Sequence, residues 1–225
     1  MAEYEDMSPW AVHFARPGKS RLIPDAEPSG YYTIMSILYD RFVRPVAEPH
    51  GVAAEIALLA DRNRPACFSE VPLHLLDRIV EHRSAYGIGF AQRFLRSKGG
   101  GRVWYVEDDS ALASSARDLV AEHQAGGPRA DDPLWRLTPF IDLATTRTAF
   151  GDYLWEREWR VPGGLRFEPA DVAFLFIPEE FHESARGFFE TSEAEQLGPS
   201  YLCPYIDVTW DRDRIVKRLS EASER

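Results

Sequence analysis

Apolar and polar residues along this chain follow two rhythms, the period of two that marks strands and the 3.6-residue period that marks helices. Residues 11–15 (Ala-Val-His-Phe-Ala) form a short apolar run closed by Arg16-Pro17-Gly18, and read as a first strand. The stretch 17–30 carries three prolines and two glycines, so a loop is expected there. Apolar residues at 31, 34, 35, 38 and 42 then take helical spacing over 31–44, and Pro45 ends that helix. Residues 52–59 allow another helix or a partly ordered excursion. Residues 65–69 read as a second short strand. Pro72 then sits at the start of a helix carrying Leu73, Leu76, Ile79 and Val80, where proline is tolerated. Tyr86-Gly87-Ile88-Gly89-Phe90 alternates like a strand whose glycines admit a close neighbour.

Behind the turn at Gly99-Gly100-Gly101, residues 102–107 (Arg-Val-Trp-Tyr-Val-Glu) form a strand. A helix follows over 111–124, ended by Gly126-Gly127-Pro128; residues 135–150 are ambiguous and helical for part of their length. The most apolar strand is 171–177, after which Pro178-Glu179-Glu180 opens a helix through Phe189. A last strand over 201–210 and a charged helix over 211–224 complete the chain. Strands and helices mix without a regular βαβ rhythm, which predicts an α+β fold with one mainly antiparallel core. No repeat or low-complexity segment interrupts it.

One stretch concentrates charge. In Trp155-Glu156-Arg157-Glu158-Trp159-Arg160, read as a strand, Glu156, Glu158 and Arg160 share one face, and Trp155, Arg157, Trp159 and Val161 the other. The Pro162-Gly163-Gly164 that follows is a turn signal. Like charges two residues apart cost stability, a conflict that functional sites tolerate more often than plain surfaces do. A solvated strand edge fits the same residues, and so does the last turn of a helix striped by Phe150, Leu154 and Arg157.

At 225 residues the chain suits a single domain, with a possible helical insertion at about 108–150. Its net charge of -10 argues against a binder of nucleic acid that relies on counterion release, while leaving room for a local basic groove. Cys67 and Cys203 fit no zinc spacing and suit a reduced cytoplasmic protein. The acidic first residues show no signal peptide, and no apolar run approaches the roughly 20 residues that span a bilayer.

Familiar catalytic motifs are missing: G-x-G-x-x-G after a strand, the Walker loop, G-x-S-x-G and H-E-x-x-H. His74 and His82, eight residues apart, read as surface histidines rather than metal ligands. His13, in its short strand, suits either a hydrogen bond to a ribose or a satisfied place in the core. Arg16 close behind could grip a phosphate with its planar fork. Phe68-Ser69 offers a ring face and a hydroxyl, or merely ends a strand. Tyr86 offers a stacking ring, or a core tyrosine.

Taken as an ordered series, Val12-His13-Phe14, Pro65-Ala66-Cys67-Phe68-Ser69-Glu70-Val71-Pro72-Leu73, Tyr86 to Phe90, Arg102 to Val106 and Glu156-Arg157-Glu158-Trp159-Arg160 resemble the AbiGi-type abortive phage-resistance proteins. The layout is also similar to the ADP-ribosyltransferase fold, including DarT-like DNA-modifying toxins. The likeness covers roughly residues 10–180. The sequence departs from the plainest transferase pattern, having no Ser-Thr-Ser triplet and Glu70 directly after Ser69.

The resemblance implies an ADP-ribosyltransferase-like domain with a central, mainly antiparallel split sheet flanked by helices, and NAD as co-substrate. It implies Glu158 as the carboxylate that stabilises charge on the ribose through its 2′-hydroxyl, and Glu156 as the group that orients or deprotonates the acceptor. Arg160 would hold a phosphate or temper the Glu156–Glu158 repulsion. His13 would meet the adenosine-side ribose and Arg16 the pyrophosphate; Phe68 and Tyr86 would sandwich the nicotinamide, with Phe14 and Ser69 completing the NAD-facing set. The acceptor implied is DNA, RNA or a protein, and a cognate antitoxin is a possible partner. Three other readings stay open: a catalytically silent relative acting as a binding or antitoxin component, an NAD-consuming reaction on a phosphorylated RNA end, and an unrelated interaction module.

Overall fold

A computed structural model of the protein describes residues 8–18, 29–70, 72, 76–127, 129, 131–144 and 157–223. Most of the loop expected at 17–30, the helix start at Leu73, and the segment 145–156 with Trp155 and Glu156 lie outside the described residues. In chain order the strands are β1 (Trp10–Phe14), β2 (Phe42–Val43), β3 (Pro65–Ser69), β4 (Gly87–Ala91), β5 (Gly101–Arg102), β6 (Trp104–Glu107), β7 (Ile141–Ala144), β8 (Glu158–Pro162), β9 (Leu165–Arg166), β10 (Val172–Phe176) and β11 (Tyr205–Ile206). The helices are α1 (Gly30–Asp40), α2 (Leu76–His82), α3 (Gln92–Ser97), α4 (Ala111–Ala125), α5 (Leu134–Leu137), α6 (His182–Ala194) and α7 (Arg212–Ser223). The architecture is mixed α+β, with a large, mostly antiparallel sheet flanked by helices. Among the described residues no helix is long and apolar enough to cross a membrane.

Where the elements differ from the pattern reading, local hydrogen bonding explains most of it. Helix α1 stops at Asp40 rather than at Pro45, because Arg41 takes a left-handed conformation (φ 51°) and returns its N–H to Ile37 and Leu38. Residues 52–59 form turns and one 3-10 turn at Ala57–Leu59 instead of a helix. The expected strand 102–107 breaks at Val103, whose N–H donates to the Glu158 carbonyl at 2.9 Å. On either side of that break β5 pairs antiparallel with β8, and β6 pairs parallel with β7. Within the described part of the ambiguous 135–150 segment, the helical turns end at Phe140 and Ile141–Ala144 forms β7. Helix α6 runs past Phe189 to Ala194. The last strand shrinks to Tyr205–Ile206: Pro204 has no N–H for a ladder, and Asp207 turns the chain. The Asp207 carboxylate accepts from the backbone N–H groups of Glu179 (2.7 Å) and Thr209 (2.8 Å).

The chain gathers into two compact units. The first comprises Met1–Val43, Ser69–Phe94 and Arg166–Arg225. Its strand order is β11-β10-β4-β1, antiparallel except for the parallel β10–β11 pair. Register places His13 opposite Ile88, Phe14 opposite Gly87, and Ser69 opposite Val12. Gly89 is required here, since a Cβ would overlap the ring of Phe174 on the neighbouring strand. Ile88, Phe90, Leu175 and Phe176, with Ile34 and Leu38 of α1, are buried in this unit.

The second unit comprises Arg44–Phe68 and Leu95–Leu165. Its strands run β3-β8-β5, so β8 is central, and the β6–β7 ribbon belongs to the same unit. Ala53, Ile56, Leu59, Val120 and Trp135 form a hydrophobic cluster that holds the 52–59 turns against α4 and α5. Helix α4 is capped by Ser110, whose Oγ accepts from the Ala113 N–H at 3.1 Å. Gly51 has φ 90°, and a Cβ on it would overlap the carbonyl oxygen of Thr138, backbone that has no side-chain freedom to yield. Gly51→Ala is therefore expected to cost about 2 kcal/mol or more. Urea unfolding should show a lower midpoint at unchanged slope; an unchanged midpoint would contradict the account.

Candidate functional site

The site is built on β8. Residue 157 enters with a positive φ of 46°, an uncommon conformation for an arginine, and the strand begins at Glu158. Alternation then sends Trp159 into the interior, 3% exposed, with the guanidinium groups of Arg96 and Arg102 at 5.9 and 5.4 Å from its ring centre. Glu158 and Arg160 share the opposite face, as the strand reading of the sequence expects.

Arg160 does not project outward. Its side chain is 2% exposed and its guanidinium is the hub of a polar network. Nε donates to Glu158 Oε1 at 2.9 Å and Nη1 to the Pro139 carbonyl at 2.9 Å. Nη2 reaches Asp142 Oδ2 at 2.5 Å, Glu158 Oε2 at 3.1 Å and His50 Nδ1 at 3.3 Å. The same His50 Nδ1 lies 3.9 Å from Asp142 Oδ2. The Tyr105 hydroxyl donates to Glu158 Oε2 at 2.5 Å, and the Cys67 thiol lies against both Glu158 and Arg160.

Sequence-distant groups arrive here through the ribbon and one turn. In the parallel β6–β7 pair Tyr105 stands opposite Asp142, which delivers phenol and carboxylate together. His50 comes from the Gly51 turn, tied down by the Val52 N–H to the Ile141 carbonyl at 2.8 Å and the His50 N–H to the Asn63 carbonyl at 2.6 Å.

Electrostatics follow from burial against pairing. Burial pushes the Glu158 carboxyl up, but the charge and hydrogen bonds of Arg160, with those of Tyr105 and Cys67, outweigh it and hold Glu158 below its usual range. Burial likewise opposes ionisation of Asp142; His50 and Arg160 prevail and bring it down to about 2. Burial works against the Arg160 charge, and Glu158 with Asp142 more than restores it. Tyr105 and Cys67 are pushed well up, first by burial and then by Glu158, so both stay protonated as donors.

Of the residues singled out in the sequence, Glu158 and Arg160 are brought together, and Glu156 lies outside the described residues. His13 is half-buried on β1 in the first unit; Phe14 is buried there with its ring stacked on Phe176, centres 6.3 Å apart. Arg16 is exposed, Ser69 is buried, and Tyr86 packs edge-on against Tyr31 (6.2 Å). Phe68 belongs to the second unit and is 2% exposed, a core ring rather than an open stacking face. Asp142, His50, Tyr105 and Cys67 were not singled out by chemistry. The available signals were the Ile-Asp-Leu-Ala alternation of β7 and the alternation of Trp104 with Tyr105. Among the described residues no group of His, Cys, Asp and Glu is arranged to hold a metal ion. The chain matches no protein-family model, no curated protein and no solved structure.

Removing the hub leaves two partly buried anions without their cation. Arg160→Met is expected to cost about 3–5 kcal/mol at neutral pH. The pH dependence should also change sign. In the wild type the depressed carboxylates contribute stability that is complete above their ordinary range and is lost as pH falls, for Asp142 between about 3.8 and about 2. Without Arg160 the largest opposition to burial at Glu158 is gone and only the Tyr105 and Cys67 hydrogen bonds remain, so Glu158 rises and acidification should stabilise the variant. Urea unfolding between pH 3 and pH 7 checks this, and parallel profiles for the two proteins would refute it.

Proposed function

We propose that the protein is an NAD-dependent ADP-ribosyltransferase, an effector of phage defence that modifies nucleic acid or protein, with Glu158 as its charge-stabilising carboxylate. One observation carries this reading: two carboxylates held ionised on a single sealed guanidinium. A glycosidase that cleaves an ordinary C–O bond needs one of its two carboxyl groups protonated, as an acid for the leaving group. Here neither carboxylate keeps a proton at neutral pH, and Tyr105 and Cys67 hold theirs too tightly to give them up. Such a pair suits a leaving group that needs no proton, and nicotinamide in NAD, already cationic on the ring nitrogen, is one. Cleavage of the C1′–N bond sends its electron pair to that nitrogen and cancels the charge. A lone pair of the acceptor closes on C1′, and the acceptor's proton passes to solvent.

The contribution of this chain is electrostatic. Positive charge develops on the ribose, and a carboxylate fixed beside it stabilises that charge more than it stabilises the ground state. Arg160 and Tyr105 fix Glu158 in place before any ligand arrives, so little reorganisation remains. The family resemblance supplies the remaining role, Glu156 at the acceptor. It also supplies the cognate antitoxin, while the cytoplasmic setting follows from reading Cys67 and Cys203 as reduced thiols.

A second reading, a silent relative that binds without turnover, is favoured by the occupancy of Glu158. Oε2 already accepts from Tyr105 and Arg160, and Oε1 from Arg160. Calorimetry with NAD, paired with mass spectrometry of nicotinamide release, separates the two. The transferase reading expects Glu158→Gln to keep a native circular dichroism spectrum and to lose about a hundredfold or more in nicotinamide release. Binding without release in the wild type would favour the silent relative.

A further inference from the structure

The two carboxylates on Arg160 are not equivalent. Glu158 is the more enclosed, with a side chain 14% exposed and both oxygens engaged. The Asp142 side chain is 30% exposed; its Oδ2 is held by Arg160, while no described residue donates to its Oδ1. Asp142 Oδ2 and Glu158 Oε2 bind the same Nη2, so they are no further apart than bonds of 2.5 and 3.1 Å laid end to end. Two carboxylates held on one guanidinium, one of them with an oxygen to which no described residue donates, are placed to meet neighbouring hydroxyls on a sugar ring. Each such hydroxyl has one hydrogen to donate.

We infer that Asp142 is a second substrate-touching carboxylate, whose Oδ1 accepts from the 3′-hydroxyl of the ribose whose 2′-hydroxyl meets Glu158. The site then reads a vicinal diol, and its ligand class is a ribosyl compound with both hydroxyls present. The inference rests on the transferase reading. His50 works from behind as a positioning residue, its ring aligned by Arg160 next to Asp142 at 3.9 Å.

The test compares NAD with an analogue lacking the 3′-hydroxyl on the nicotinamide-side ribose, in the wild type and in Asp142→Ala. A hydrogen bond to a charged group predicts that the wild type favours NAD over the analogue about tenfold to a hundredfold in kcat/KM. Asp142→Ala should abolish that preference, bringing NAD and the analogue to the same kcat/KM, whatever loss the two share. An Asp142 that only supports the fold would lower both substrates equally, which overturns the inference. Equal wild-type rates on NAD and the analogue overturn it as well, with no variant needed should Asp142→Ala fold poorly. A wild type that does not turn over NAD at all removes the transferase reading and this inference together. Turnover with an unchanged preference in the variant removes the inference alone.

Discussion

A guanidinium with 2% of its side chain exposed must find anions and carbonyls for its N–H groups or not be buried at all. Arg160 is in that position, and taking an ion out of water costs several kcal/mol even after the surroundings relax. Glu158 and Asp142 supply the countercharges, and the Pro139 carbonyl takes a further N–H. Each of these partners belongs to a different element of the second unit. The central placement of β8, the β6–β7 ribbon and the chain leading into β7 thus converge on one charge. Nη2 donates to the Asp142 and Glu158 carboxylates and lies beside the His50 ring. The 3.3 Å contact to His50 is the longest, which makes the imidazole the most replaceable member of the group.

The donors around Glu158 divide by strength. Arg160 carries a permanent charge, whereas Tyr105 and Cys67 are neutral donors with ionisations pushed far out of range. Neutral donors let the carboxylate keep its negative charge without cancelling it, which a second arginine would have done. The net effect is an anion that is immobilised and only partly compensated, the condition in which a fixed charge is useful beside a developing positive one. In the first unit, Asp207 spends its carboxylate on backbone N–H groups around a turn, a role complete without any ligand.

Sequence periodicity identified β1, β3, β4, β10 and α4 well, because each is a buried strand or a capped helix whose pattern follows its own backbone. It also placed Glu158 and Arg160 on one face. It could not show that Arg160 turns inward, since the deciding partners, Asp142 and the Pro139 carbonyl, are far away in the chain. Residues 102–107 read as one strand because every side chain there suits one; the break at Val103 is set by the Glu158 carbonyl, a tertiary partner. The mainly antiparallel α+β class was legible from the missing βαβ rhythm. Asp142 was hidden in a segment whose helical start at Leu134–Leu137 masked the strand behind it.

The Tyr105–Asp142 register of the parallel ribbon carries an evolutionary consequence. A parallel pair needs a crossover, here the long connection containing α4 and α5, and the ribbon fixes only its two ends. The exposed outer surface of that connection can change while Val120 and Trp135 hold the cluster, the Pro139 carbonyl holds Arg160, and phenol and carboxylate keep their places. A slip of one residue within the ribbon would instead send one of the two groups to the opposite face and part the pair. Related chains should therefore diverge most freely on the exposed face of α4, and least in the residues that set the pairing of the ribbon or reach the core and Arg160.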